Sequence, residues 1–433
     1  MSWDTSEGQR PSQLTREFLA MGHRVVFVEA DPSRNQESYD NENFRLANIL
    51  PRHWPFYNME PVADGRGTTA SKTARILRFA DQKSNSWLVR LVLSKLPRRS
   101  RQMIVSKRKG HLVSLDEDLP IIRDRLSILL DDFCRSRSGR VVVFESPMRC
   151  YTECLDIFKA RDFAIVYELI DKWELMWQGE KIRRQDDELK LIREAVVVTA
   201  TSKQLLNELG SLYPWRRDIL YAPNAVKREA FDTNQVSAIP HDMPRGGEVN
   251  VGYFGSICEW FDFETVEFLA DSRPRWNFVI IGEHPLRAEF PFNRWQKFIS
   301  RGNVYALGRK KHCELINYLA HWNVCIVPFV DSALTRATSP VKVYEYLSAY
   351  KPVVTFEFEE MQGFPYVYHA KDKEDFLNKI RDALTNPLDR KSVDDFLAEN
   401  TWRNRAQSIL NFADFVNQDF HRGDHSHTGE RAV

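Results

Sequence analysis

Short, uninterrupted apolar runs recur along the chain and alternate with segments whose apolar residues return every three or four positions. In the first half the runs are 23–30 (HRVVFVEA), 140–146 (RVVVFES), 163–171 (FAIVYELID), 195–200 (AVVVTA) and 218–223 (DILYAP). They are short and rich in β-branched residues, which predicts strands buried on both faces. Helical spacing fills the intervals, as in 10–22 (RPSQLTREFLAMG), 120–136 (PIIRDRLSILLDDFCRS) and 185–195 (QDDELKLIREA). Strands alternating with helices predict a parallel sheet covered on both sides.

The polar, Pro- and Gly-rich stretch 232–248 (DTNQVSAIPHDMPRGGE) reads as a linker. The pattern then restarts. Predicted strands lie at 250–255 (NVGYFG), 276–283 (WNFVIIGE), 303–308 (NVYALG), 323–329 (NVCIVPF) and 351–356 (KPVVTF). Predicted helices lie at 263–272, 312–322, 340–350 and 373–384. The expected division is a first doubly wound α/β domain over 1–231, the linker, a second over 249–400 and a closing helix at 401–416 (TWRNRAQSILNFADFV). The tail 417–433 lacks apolar content and is expected to be disordered.

A chain of 433 residues is too long for one hydrophobic core, which agrees with two domains. Net charge is +1, so no global field calls for nucleic acid. The six cysteines form no CxxC pair, and no structural zinc or disulfide framework is expected. No apolar stretch reaches the ~20 residues that span a bilayer, and the polar start MSWDTSEGQR does not resemble a signal peptide. A cytoplasmic protein is expected.

One segment breaks the pattern. Residues 72–109, within an insertion at 72–110, hold twelve Lys or Arg and a single acid, Asp81. Two readings stand level: a solvated basic insertion with its apolar face on the core, or a surface that docks on anionic lipid of the inner membrane. Nucleic acid is a poorer partner, because no stacking platform accompanies the charge.

The candidate chemistry lies in 338–354 (TSPVKVYEYLSAYKPVV). Ser339 is a suitable N-cap and Pro340 a favoured first helical residue, so a helix is expected to begin there, at the carboxyl edge of the second sheet. A helix N-terminus offers unpaired N–H groups to an anion. Lys342 in the first turn opposes the helix dipole, which makes sense if an anion sits beside it, and Arg336 adds a second cation. Glu345, one turn on, suits the two hydroxyls of a ribose. The plainer alternative is an intrahelical Lys342–Glu345 ion pair, worth ~0.3 kcal/mol.

These residues resemble the GT-B glycosyltransferases of bacteria, close to the group 1, family 4-like branch that uses nucleotide sugars. The motifs that carry the resemblance are 251–270 (VGYFGSICEWFDFETVEFLA), 277–283 (NFVIIGE), 303–329 and 334–354, with 9–30, 166–173 (VYELIDKW), 199–206 and 221–231 in the first half. The resemblance implies two Rossmann-like domains facing across a cleft, with 401–416 crossing back to domain one. It implies a hexosyltransferase-type enzyme that moves a sugar from a nucleotide-diphosphate donor to a glycan or lipid-linked acceptor in cell-envelope or exopolysaccharide synthesis, without a bound metal or cofactor. By resemblance Glu345 binds the donor ribose, Lys342, Arg336 and Ser339 line the diphosphate, Gly255 and Ser256 admit the phosphates, and Gly282 and Glu283 flank the base.

The chain departs from the family in three ways. The Glu expected eight residues before Glu345 is Ala337, so a retaining outcome is not implied. No apolar strand precedes SWDTSEGQRP, which suggests a truncated start or a domain lacking its central strand. PNAV (223–226) has Ala where the family often has Gly. Acid–base candidates are Asp171, the first choice, with Glu168, Glu145 and Asp4; Arg10 is a candidate on the acceptor side. Trp173, Trp177 and Trp260 read as packing. A non-catalytic nucleotide-sugar-binding scaffold is the alternative of another class, and a sugar-nucleotide epimerase fits less well.

Overall fold

The computed structural model describes residues 9–23, 25–28, 44–47, 115–134, 140–175, 183–233, 236, 238–284 and 292–423. Asp4, Trp177 and the basic insertion lie outside them.

The first half carries β1 (Val25–Val28), β2 (Phe44–Ala47), β3 (Arg140–Phe144), β4 (Phe163–Leu169), β5 (Val197–Ala200) and β6 (Ile219–Tyr221). All pairings are parallel, but they fall into two sheets, β1–β2 and β3–β4–β5–β6. The main helices are α1 (Arg10–Ala20), α2 (Leu115–Phe133), α3 (Gln185–Glu194) and α4 (Lys203–Leu212). β5 is buried at every position, as its unbroken apolar run requires of a strand covered on both faces.

The second half is one six-stranded parallel sheet. Its strands are β7 (Val249–Phe254), β8 (Trp276–Ile281), β9 (Val304–Gly308), β10 (Val324–Val327), β11 (Val353–Phe356) and β12 (Val367–Ala370), in spatial order β12-β11-β10-β7-β8-β9. This is the doubly wound order, and its direction reverses between β7 and β10. Ligands of such sheets bind outside the carboxyl ends at that switch. The main helices are α5 (Phe263–Ser272), α6 (Phe292–Ile299), α7 (Val341–Ser348), α8 (Lys373–Thr385), α9 (Arg390–Glu399) and α10 (Trp402–Gly423). Side chains of β7, β8 and β10 join one hydrophobic cluster with Tyr344, Tyr346 and Leu347 of α7.

The two halves meet where the chain crosses between them twice. Val226 pairs with Thr401 in an isolated parallel bridge, fixed by Val226 N–H to Asn400 O and Trp402 N–H to Val226 O. α10 then packs back on the first half: Trp402, Ala406, Ile409 and Ala413 share a cluster with Leu14 and Phe18 of α1. The helix runs past the expected end at 416 to Gly423, so 417–423 is helical and not disordered. The stretch NQDFHR contains no proline or glycine to stop propagation. Among the described residues no helix is long and apolar enough to cross a membrane.

Candidate functional site

The switch between β7 and β10 is lined by their two following loops and by the start of α7. Phe261 and Phe329 join those loops through an antiparallel bridge. Gly255 ends β7 at φ 140°, and a Cβ there would stand 2.5 Å from Lys342 Nζ. A Cβ on Gly282 would meet the Gly255 carbonyl oxygen at 1.9 Å, so only glycine lets these two turns touch. Backbone bonds lace the turns together: Gly255 N–H to Ile281 O, Gly282 N–H to Gly308 O and Ile257 N–H to Glu283 O. Gly282 therefore serves a close backbone approach. The Glu283 carbonyl is engaged in the lacing, and Ser256 is exposed beside it.

α7 begins one residue later than expected. Pro340 occupies the N-cap and Val341 is the first helical residue. Ser339 is buried and makes no capping bond, because its hydroxyl accepts from Asn224 N–H at 3.2 Å across the junction of the halves. Asn224 Nδ2 also donates to the Ser339 carbonyl at 2.6 Å.

Lys342 and Glu345 do not pair with each other. The Lys342 ammonium donates to Tyr253 Oη at 3.1 Å and lies 4.5 Å from the Tyr253 ring centre and 4.8 Å from that of Phe329. Tyr253 Oη in turn donates to the Ser256 carbonyl at 2.9 Å. Among the described residues Lys342 is not ion-paired. Desolvation between the rings pulls its pKa down to about 8, against an opposing pull from the Glu345 charge. The Glu345 carboxylate turns the other way, to His312 Nε2 at 2.7 Å. Only 6% of the Glu345 side chain is exposed, and 21% of His312. Sequence reasoning missed His312. The signal was there, a lone imidazole at the head of the helix after β9, but its partner lies 33 positions away.

Arg336, fully at the surface, forms a bidentate pair with Asp331 at 2.5 Å. Ala337 is buried, its methyl group in the hydrophobic cluster of the first half and its carbonyl accepting from Ser202 Oγ at 2.8 Å. Glu360 is buried nearby and accepts from Lys203 N–H at 2.9 Å and Tyr221 Oη at 2.8 Å, a second tie between the halves.

The acceptor-side candidates separate into a buried ion pair and two partly buried carboxyls at strand ends. Arg10 is 4% exposed and holds Glu168, itself wholly buried, at 2.5 Å; its other nitrogen donates to the carbonyls of Ala222 and Pro223. Every direction of that guanidinium faces protein, so Arg10 is buried within the first half and is not a surface residue. Glu168 is likewise committed, with Thr199 Oγ1 as a further donor. Asp171 follows β4 at the carboxyl edge, and desolvation pushes its pKa up to about 7. Glu145 stands at the end of neighbouring β3, raised to about 8 by desolvation and then by the Glu168 charge. Trp173 donates from Nε1 to the Glu145 carbonyl at 3.1 Å, and Trp260 donates to the Ser256 carbonyl at 3.3 Å. Among the described residues no group of His, Cys, Asp or Glu is placed to hold a metal ion.

Residues 250–386 match the family model described as Glycosyl transferases group 1. A Bacillus subtilis (strain 168) protein described as a putative teichuronic acid biosynthesis glycosyltransferase is 28% identical over 217 residues, 47% of this chain and 53% of that one. The chain thus spans about half the length of this curated relative. Among solved structures, an α,α-trehalose-phosphate synthase (UDP-forming) from Burkholderia vietnamiensis superposes with TM-score 0.57 over 93% of both chains at 12% identity. The sucrose-phosphate synthase of Thermosynechococcus elongatus gives 0.53 over 96% of this chain and 93% of that one at 13% identity. The fold is GT-B, and residues 250–386 are similar to the group 1 glycosyl transferases.

Proposed function

We propose that this chain, similar to the group 1 glycosyl transferases over residues 250–386, moves a sugar from a nucleoside-diphosphate donor to a glycan or lipid-linked acceptor of the cell envelope. The observation that carries the reading is Lys342. A cation with no carboxylate ion-paired to it among the described residues sits in a low-dielectric aromatic pocket at a helix N-terminus whose own dipole opposes it. A diphosphate at the β7–β10 switch supplies the missing negative charge. Glu345, one turn along α7, takes the ribose hydroxyls, and the Gly255–Gly282 contact keeps side chains away from the phosphates. Arg336 reaches the diphosphate by releasing Asp331. No metal is invoked, because Lys342 and the helix end carry the charge that grows on the leaving phosphate. Asp171, with a pKa near neutrality, is suited to accept the acceptor's hydroxyl proton. The basic stretch 72–109 fits attachment to an anionic inner leaflet, tested by vesicle binding that high salt weakens; equal binding to neutral vesicles would sink it.

The test is thermal stabilisation by UDP, GDP, ADP and dTDP on the wild type, Lys342→Ala and Glu345→Ala. One nucleotide at a hundred times its dissociation constant should add about 2.7 kcal/mol to the wild type and clearly less to either variant. No stabilisation of a folded protein by any of the four overturns the donor site.

One observation favours a second reading, a nucleotide-sugar-binding scaffold without turnover. Ala337, where the family carries a sugar-handling carboxylate, is packed into the first half. Turnover of a bound nucleotide sugar separates the two readings.

A further inference from the structure

We infer that His312 is a positioning residue for the donor ribose: by holding one oxygen of Glu345, it aims the other at a vicinal diol. The inference rests on the proposal that Glu345 receives the ribose, and it adds a residue and a selectivity to that site.

A glutamate on a helix has three side-chain torsions and no intrinsic direction. Two partners compete for Glu345. Lys342 lies three residues earlier on α7, at a spacing that ordinarily permits a pair. It is held off by the Tyr253 hydroxyl and the rings of Tyr253 and Phe329. His312, from the turn after β9, takes the carboxylate instead at 2.7 Å. The carboxylate can only accept at that distance, so Nε2 carries the proton.

The imidazole is itself fixed. Its ring stands edge-on to buried Phe231, with centres 5.4 Å apart and planes at 87°. Its backbone opens the short helical turn His312–Glu314, locked by Lys311 N–H donating to Glu314 Oε2 at 2.9 Å. Phe231 ends the segment that leads from the first half into the linker, so the aim of Glu345 is set jointly by β9, α7 and the domain junction.

An ionised carboxylate has about four acceptor sites, and His312 uses one. Among the described residues no other hydrogen bond to the Glu345 carboxylate is made, which leaves Oε2 for two neighbouring hydroxyls. A 2′-deoxyribose offers one hydroxyl fewer and leaves the buried carboxylate underused, so His312 contributes selectivity for ribonucleotides.

The experiment is calorimetric titration of UDP, GDP and ADP, of their 2′-deoxy counterparts, and of pyrophosphate as a probe without ribose. The proteins are the wild type, Glu345→Ala, His312→Ala, His312→Gln and His312→Asn, with folding checked by circular dichroism. The wild type should prefer one ribonucleoside diphosphate over its 2′-deoxy form by about tenfold. His312→Ala should bring that ratio close to one while pyrophosphate affinity stays unchanged. Gln, whose terminal amide reaches the Nε2 position, should restore most of the ratio, and the shorter Asn should not. If His312→Ala does not fold, the Gln and Asn variants decide the question alone. An unchanged ratio in the His312 variants alongside a lost ratio in Glu345→Ala overturns the role of His312 and leaves the ribose reading standing. An unchanged ratio in Glu345→Ala, or no preference in the wild type, removes the ribose reading and this inference with it.

Discussion

The two halves reach a similar layered architecture by different means. The second half is a continuous sheet over one hydrophobic cluster, and its sharp features are steric: Gly255 against Lys342, Gly282 against a carbonyl. The first half has its described strands in two sheets, and at its junction with the second half an ion pair, Arg10–Glu168, is buried almost completely. The difference teaches where each half is fragile: the second half to added volume, the first to unbalanced charge.

The largest effect is expected in the first half. Arg10→Ala leaves the Glu168 charge buried and alone, and should cost about 3–5 kcal/mol in urea unfolding. The double variant Arg10→Met, Glu168→Leu should recover most of that loss. A double variant as unstable as the single would mean that the two carbonyl contacts of Arg10 matter more than its charge.

In the second half, Gly282→Ala should cost about 2–3 kcal/mol, because the intruding methyl group meets backbone that cannot swing aside. Gly302→Ala, with open space around it, is the control and should be near neutral.

Lys342 links stability to function. Its folded pKa of about 8 lies below the ordinary lysine value. The unfolded chain therefore binds more protons between about pH 8 and 10.4, and stability rises with pH through that window. Lys342→Met should remove the rise and stabilise the ligand-free protein by about 1–2 kcal/mol at pH 7, while nucleoside diphosphate binding falls. Destabilisation by this substitution would show that the lysine belongs to the fold and not to a ligand.

The smallest effect concerns the carboxyls at the ends of β3 and β4. Asp171 and Glu145 are raised to about 7 and 8, so the native state binds more protons than the unfolded chain from about pH 4 upward. Their stabilising contribution is complete below pH 4 and is lost as pH rises through 7 and 8. Asp171→Asn and Glu145→Gln should each flatten that fall, gaining about 1 kcal/mol at pH 8. Only Asp171→Asn should also depress turnover if Asp171 is the base.

Most of the strands were legible. The runs at 163–171, 195–200, 250–255 and 276–283 are so uniformly apolar that only a covered parallel sheet can bury them, and β4, β5, β7 and β8 lie there. β12 and β2 were not legible. VYHA and FRLA are short, mix polar with apolar residues, and pair at sheet ends where burial does not impose a pattern. Lys342 and Glu345 stood out in sequence because charges at the head of an apolar helix demand a reason. Their actual partners did not.

By itself, then, the sequence determined the layered α/β architecture, its two halves and the helix that carries the candidate donor site. Those features follow from local periodicity, which the chain displays wherever an element must bury a face. Tertiary structure alone decided that Lys342 turns to an aromatic pair, that His312 takes Glu345, that Ser339 joins the domain junction instead of capping α7, and that Arg10 is buried against Glu168. Each of these depends on which distant side chain arrives first within hydrogen-bond reach. That is settled by the order of strands in a sheet, and local periodicity carries no record of it.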